Sequence, residues 1–577
     1  MPIRSRTAVV LVLLAAVALT LRVIGLQYGL PAVYNPDEVA IMARALSFAK
    51  GTLNPHNFLY PTLYFYVLFG WVGVYLGGVW LTGGVTTLTE LQQLYFTNPT
   101  GIYTAGRLLG AVCGTAAILA VFRLGQRLFD ARVGLTAALF LAVAPLAVRD
   151  SHYVKHDIPA TLAIVLALIA IVRIWPRAPE ARRSRHDVLL AGAACGVAFS
   201  THYYCIFLVL PLLWAIVQRW RVAGWQVVAR HAVTAGLVSA AVFFALSPFI
   251  LVEPIVAWND ITANRQIVID RAVESGAFAP ATRYIDILWT DSMGRAVVAL
   301  GVFGAAGLLV LAPARAVLVL LFPVAFFAFI VNTAPASRYL NPVLPFLAIC
   351  AGWALVRLSD TLRAPAPALW IAAMACAAAP MISSVRSDLF FRTDDTRTIA
   401  QRFIETNLPP GATVLLQPYS VSLTPSKASL VEALTQNLGD PAAASTKFRI
   451  QLGLNPYPQP SYRLIWLGRD GLDAEKIYVD PAELGGTDGL APLRRLGVTY
   501  VILKRNQRLD PDMMPFVAEL SRRGRLLAEF SPYRSGTTPE ERARIEPFLH
   551  NTDTRIDDAL ERPGPPLEIW QLDGPDS

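Results

Sequence analysis

Two carboxylates stand side by side in Asn35-Pro36-Asp37-Glu38, directly behind the first long apolar run of the chain. Adjacent acids at a membrane boundary need a reason, and a helix from Val39 to Ala49 would hold them rigidly over the membrane surface, where they could serve a site. They equally suit a helix start, with Pro36 in the first turn and both acids favouring the dipole. The two readings do not exclude each other. A second cluster, Arg149-Asp150-Ser151-His152-Tyr153-Val154-Lys155-His156-Asp157, is dense in titratable side chains and hemmed in by apolar runs. It reads as a solvated loop or as a site. Asp157 stands immediately before Ile158-Pro159 and the next run, and an ionisable group at that depth is costly and usually serves a site or pathway. A third element, Arg338-Tyr339-Leu340-Asn341-Pro342-Val343-Leu344-Pro345, opens a later run. Arg338 can snorkel to the interface or hold a lipid phosphate lying along the helices. The loop Asn54-Pro55-His56-Asn57-Phe58-Leu59-Tyr60-Pro61 and the turn His202-Tyr203-Tyr204 add histidines and aromatic rings. A lone histidine such as His202 is more often structural than functional.

The elements that position these residues are membrane spans. Of the 577 residues, 54% are hydrophobic and only 16% charged, with a mean hydropathy of +0.46; a soluble domain carries nearer a quarter charged. Apolar runs lie near 8–27, 60–80, 102–122, 133–148, 158–174, 188–200, 203–218, 232–251, 297–312, 316–331, 341–357 and 366–385. The net charge of +9 does not point to nucleic acid, because the arginines gather in short clusters between runs, where they set orientation. The five cysteines all fall within apolar runs, without metal-ligand spacing, and read as small buried side chains. Arg4 and Arg6 precede a run with no small-residue cleavage site before Tyr34, so the N-terminus reads as a retained span.

Parity decides the topology. If every run crossed, Arg123, Arg127 and Arg132 would face outward, as would the arginines from Arg173 to Arg185. If 60–80, rich in Tyr, Trp and Gly, instead dips into the outer leaflet, the clusters at 123–132, 173–185, 219–230, 315 and 357–363 all become cytoplasmic. Eleven spans result. The first loop, 149–157, the turn at His202, 252–296, 332–340 and everything after Val385 then share the outer side, and so do the three clusters.

After Met381 the texture changes to alternating helix-like and strand-like segments. Asp395 to Thr406, Leu490 to Leu496 and Phe516 to Arg522 read as helices; Thr413 to Gln417, Val498 to Lys504, Arg525 to Phe530 and Leu567 to Leu572 read as strands. The expected architecture is a polytopic helical membrane domain over 1–385 and a small extracytoplasmic α/β domain over 386–577. The latter shows no glycine-rich phosphate loop, nucleophile elbow or metal spacing, and reads as a structural or acceptor-docking domain.

The chain resembles membrane glycosyltransferases of the GT-C class, in the group of the protein O-mannosyltransferases and lipid A aminoarabinose transferases. The matching features are Asp37-Glu38 after the first span, Tyr60-Pro61-Thr62-Leu63-Tyr64 later in that loop, Asp157-Ile158-Pro159 opening a span, and Arg338-Tyr339-x-x-Pro342-x-x-Pro345. One departure is Leu59-Tyr60-Pro61, where relatives often carry Lys-Pro-Pro; His56 or Lys155 can take the place of that lysine. The resemblance implies a polyprenyl-phosphate sugar as donor, a lipid, glycan or protein hydroxyl as acceptor, and inverting transfer at the outer face of the inner (plasma) membrane. It implies Asp37 as base with Glu38 supporting it, and Arg338 or Lys155 on the leaving phosphate. Asp157, His56, Tyr60, Tyr339 and His156 are further substrate contacts, and a divalent metal ion on the carboxylates and histidines stays open. The competing class is a transporter or lipid flippase, which would place ionisable groups near the midplane and often show inverted repeats. These runs are nearly free of charge and show no repeat.

Overall fold

A computed structural model describes residues 2–175, 181–219, 223–273, 279–468, 473–485, 490–505, 513–550 and 556–572. Among them seven helices are long and apolar enough to cross a membrane, or eight if the bent pair Pro280–Ser292 and Arg295–Leu311 forms one span. Shorter apolar helices lie at Thr7–Val23, Ala131–Ala142 and Tyr203–Val217.

The elements around the site begin with α1 (Pro2–Val23), α2 (Pro36–Leu46), α3 (Leu63–Leu81), α4 (Leu88–Thr97) and α5 (Thr100–Leu128). They continue with α6 (Ala131–Ala142), α7 (Pro145–Asp150) and α8 (Asp157–Ile174). Glycine lets α5 and α6 touch: a Cβ on Gly125 would stand 2.9 Å from the Gly134 Cα, the small-residue contact that membrane helices use in place of a hydrophobic drive. α5 has 29 residues, about 43 Å at 1.5 Å per residue, so it outreaches the roughly 30 Å hydrocarbon layer.

The run at 60–80, read from sequence as an interfacial dip, is one continuous 19-residue helix, α3. Its apolarity is the reason, for every turn offers side chains that tolerate lipid. Its register against α5 shows its course. Trp71 Nε1 donates to the Ala105 carbonyl at 2.8 Å, Leu68 packs beside Gly106, and Tyr75 closes over Gly101. Moving up α3 therefore means moving toward the N-terminal end of α5. Leu81 lies past that end, and α4, which follows, touches the helix Thr446–Leu452 of the C-terminal domain.

The C-terminal domain is built on one six-stranded sheet: β1 (Thr413–Leu416), β2 (Arg463–Leu467), β3 (Ile477–Val479), β4 (Tyr500–Lys504), β5 (Gly524–Phe530) and β6 (Leu567–Leu572), in the order β3-β2-β1-β4-β6-β5. The first four run parallel, and β6 and β5 add antiparallel. The last long apolar helix continues to Phe391 and the next begins at Thr396. An aromatic cluster of Tyr28, Tyr153, Phe390, Phe391, Tyr533 and Phe548 binds the two domains together. Asn35 Nδ2 donates to the His550 carbonyl at 2.7 Å, and Tyr34 and Thr398 hydroxyls meet at 2.8 Å. The loop that launches α2 is thus held from above.

Candidate active site

Asn35 caps α2, its side chain accepting from the Asp37 N–H at 3.0 Å, with Pro36 in the first turn. This fixes the direction of both acids, and they part. Glu38 turns inward and is fully buried. It accepts from Arg107 Nε at 3.0 Å and Nη2 at 2.9 Å, from the Tyr28 hydroxyl at 2.8 Å and from the Val154 N–H at 2.9 Å. With these donors its acceptor sites are filled, so Glu38 anchors α2 and positions Asp37.

Asp37 turns to the flank, with 41% of its side chain exposed. Its Oδ2 lies 3.1 Å from Lys155 Nζ and 3.3 Å from Arg338 Nη1. Arg338 Nε faces Asp157 Oδ2 at 3.9 Å, and its guanidinium lies 5.2 Å from the Tyr339 ring centroid. Arg338 is itself positioned through its neighbours. Arg149 Nη2 donates to Ser337 Oγ at 2.9 Å, and Asn341 Nδ2 donates to Asp150 Oδ2 at 2.6 Å, so α7 grips the short 3-10 helix Ser337–Leu340 at both ends.

Beside these groups lies an aromatic floor. Tyr60 stacks on His156 at 4.3 Å and meets His202 edge-on at 5.3 Å; Tyr64 approaches His156 at 4.5 Å. His156 is buried, and among the described residues its Nε2 finds no hydrogen-bond partner. Burial pushes its imidazole well below the usual histidine range and keeps it neutral.

Charge sets the protonation states. Burial alone would raise the Asp37 carboxyl, but Lys155 and Arg338 outweigh it and hold the group below its ordinary value. Burial, with Arg338 beside it, lowers the Lys155 ammonium. Burial also works against the charge on Arg338, yet Tyr339, Asp37 and Asp157 prevail and raise it. The resting site is an anion-ready pair of cations with one carboxylate between them.

His56 sits elsewhere. Its Nδ1 meets Glu253 Oε1 at 2.9 Å, and Asn54 Nδ2 reaches the same oxygen at 2.9 Å. Phe58 N–H donates to Asp260 at 2.8 Å, so this loop is pinned to the helix Pro254–Val273. The metal reading finds no ligand set: among the described residues no three His, Cys, Asp or Glu side chains are grouped to hold an ion. Asp37 and Asp157 face cations instead.

Arg107 is the residue that sequence reasoning passed over. The signal was present, a single arginine inside the apolar run 102–122, where a charge needs a partner. Ser337 and Asn341 carried no comparable signal, since their partners lie 188 and 191 positions away.

Residues 101–251 match the family described as dolichyl-phosphate-mannose-protein mannosyltransferase. The matched segment holds Arg107, Asp150, Lys155 and Asp157, while Asp37 and Arg338 lie outside it. Comparison with curated proteins gives no match. Among solved structures, the apo oligosaccharyltransferase of Archaeoglobus fulgidus is similar over 98% of this chain and 88% of its own, at 12% identity and a TM-score of 0.52. The same organism's AglB, in complex with an inhibitory peptide and a dolichol-phosphate, is similar over 87% and 69% at 12% identity and a TM-score of 0.51. ArnT from Cupriavidus metallidurans in the apo state is similar over 89% and 95% at 16% identity and a TM-score of 0.47. Over residues 101–251 the chain thus matches a glycosyltransferase family, and its fold is shared with an oligosaccharyltransferase, in agreement with the resemblance read from the sequence.

Proposed function

We propose that this enzyme moves a monosaccharide from a polyprenyl-phosphate donor to an acceptor hydroxyl at the outer face of the membrane, with inversion. The observation that carries the reading is the contact of Asp37 with both Lys155 and Arg338, a base and two phosphate partners in one place. The match to a dolichyl-phosphate-dependent family and a dolichol-phosphate bound to a protein of this fold support the donor class.

The steps follow from the geometry. The donor phosphate enters between Lys155 and Arg338 and draws both cations from Asp37. Freed of them, the carboxylate becomes a stronger base and takes the proton of the acceptor hydroxyl. The acceptor oxygen bonds to the anomeric carbon as the bond from that carbon to the phosphate oxygen breaks. The charge that collects on the departing lipid phosphate is met by the two cations. Asp157 holds Arg338 from the far side, and the Tyr60–His156 stack offers a flat wall for the sugar.

Arg338 tests the phosphate role. A charge-assisted contact contributes roughly 1.5–3 kcal/mol, or about one to two decades in transfer efficiency. Arg338→Ala weakens donor binding and transfer by that amount, and Arg338→Lys restores part of it, keeping charge without the fork. Titrating a polyprenyl-phosphate sugar against the three purified proteins measures it. Equal affinities and rates in all three would remove Arg338 from the site.

The course of α3 along α5 supports a reading in which 60–80, although long enough to cross, stays on the outer side, and the eleven crossings rest on the arginine clusters. A reporter fused after Ser577 then behaves as extracytoplasmic, and one inserted at Arg363 as cytoplasmic. The reverse pattern would mean that α3 crosses.

A further inference from the structure

A crevice of about 630 Å3 lies between α2 and the carboxyl edge of the C-terminal sheet, within the roughly 300–1,000 Å3 common to ligand sites. Val33, Tyr34 and Val39 form one wall; the segment after β1, with Trp466 of β2 and Tyr478 of β3, forms the other. β1 lies between β2 and β4: its own connection leads to β2 and β3 on one side, and β4 joins on the other. The crevice opens on the β2–β3 side of β1, and the helices Lys427–Leu438 and Thr446–Leu452 close its flank with Leu430 and Phe448. The ends of β1 and β4 are tied to each other, Lys504 N–H donating to Gln417 Oε1 at 2.7 Å and Gln417 N–H to the Ile502 carbonyl at 3.1 Å.

Two features mark the crevice as more than a gap. Tyr419, just beyond β1, has φ +62°, a left-handed conformation that a bulky residue rarely adopts, and it is 67% exposed. That strained turn keeps an aromatic face at the rim, with Lys504 Nζ 5.6 Å from the ring centroid; strain of this kind clusters at ligand sites. Glu475 lines the same crevice and, among the described residues, has no hydrogen-bond or ion-pair partner. Aromatic rings therefore alternate with hydroxyl, carboxylate and ammonium groups. A sugar asks for that mixture, since its C–H face rests on a ring while its hydroxyls need donors and acceptors together. Arg397 is paired with Asp395 and Lys476 with Asp473, which leaves Lys447 and Glu475 as one charge of each sign, so a polyanion finds no excess of cations and an acyl chain would meet too many charges.

We propose that this crevice binds an oligosaccharide and that the acceptor of the transfer is therefore a glycan; the word acceptor rests on the transferase reading, the glycan binding does not. α2 links the two places. Asp37 and Val39 lie on its opposite flanks, and the exposed ridge between them is Pro36, Ala40 and Ala43. A chain seated in the crevice has to pass over only this small-residue ridge, about the 10–12 Å width of a helix, to bring a hydroxyl to Asp37.

The test titrates labelled oligosaccharides of the hexose and pentose series against the purified full chain and its Asp37→Asn, Tyr419→Asn and Glu475→Gln variants. Asparagine tolerates the left-handed turn, so the loop survives that change. Wild type and Asp37→Asn should bind alike, and Tyr419→Asn and Glu475→Gln should each weaken binding roughly tenfold, the loss of one charge-assisted or stacking contact. Sugar binding of that pattern in a protein without transfer activity would support the crevice and remove the transferase reading. Binding by no oligosaccharide, binding that neither variant disturbs, or capture of a Ser/Thr-containing peptide instead would overturn the proposal.

Discussion

Asp37→Asn leaves a folded, membrane-inserted protein that no longer transfers sugar at a useful rate. The amide keeps the size of the carboxylate and can still accept from Lys155 or Arg338, which stand 3.1 and 3.3 Å away. It cannot take the acceptor proton, and loss of a general base costs about two to four decades in rate. Near-wild-type turnover of the purified variant would sink the assignment. The pH profile adds a sharper signature. Cations hold the resting Asp37 below its ordinary range, so the free enzyme keeps this carboxylate charged until the pH falls below that range. The acid limb of kcat/KM, which reports the free enzyme, should lie there. Once the donor phosphate has drawn Lys155 and Arg338 away, the carboxylate rises. The acid limb of kcat, which reports the complex, should therefore stand at higher pH than that of kcat/KM. Coincident limbs would mean that the cations never leave Asp37.

Much of this site could be read from the chain because its parts are local. Asn35-Pro36-Asp37-Glu38 spells a cap, a first turn and two acids within one helical turn, and the structure builds that turn. Asp157 and Arg338 each open a helix or a short turn beside an apolar run, where a charge is conspicuous. What stayed hidden is the division of labour between Asp37 and Glu38. It depends on Arg107, which lies 69 positions from Glu38, and no local pattern states which acid meets it. The sheet shows the same limit. β1, β4, β5 and β6 alternate or follow clear turns, whereas β2 is a short run behind a proline-rich stretch and β3 has three residues. Both strands are fixed by their neighbours, through pairing with β1 and with each other, and not by their own residues. His56 illustrates the opposite error, a conspicuous side chain whose partner, Glu253, stands at the bend between the helices Phe249–Val252 and Pro254–Val273, which the first loop happens to meet.

The Glu38–Arg107 pair should be the most costly contact in the protein to break. Both side chains are fully buried, and Arg107 also donates to the carbonyls of Leu26 at 2.8 Å and Tyr28 at 2.9 Å, with the Tyr28 ring 3.8 Å from its guanidinium. Removing one partner of such a pair strands the other as an uncompensated charge and costs about 3–5 kcal/mol. Arg107→Met leaves Glu38 with a neutral hydroxyl and one N–H, so it should lower the thermal midpoint severely. Glu38→Gln keeps the shape and some of the hydrogen bonds and should cost less. The double variant should be more stable than the sum of the singles predicts, because neither charge is then left alone. The same set separates the two roles open to Glu38. A second catalytic carboxylate would lose activity on Glu38→Gln at unchanged stability. An anchor for α2 loses both in parallel, and Arg107→Met, which touches no substrate group, loses activity with it. Additive singles, or a stable Glu38→Gln protein that is inactive, would return Glu38 to the chemistry.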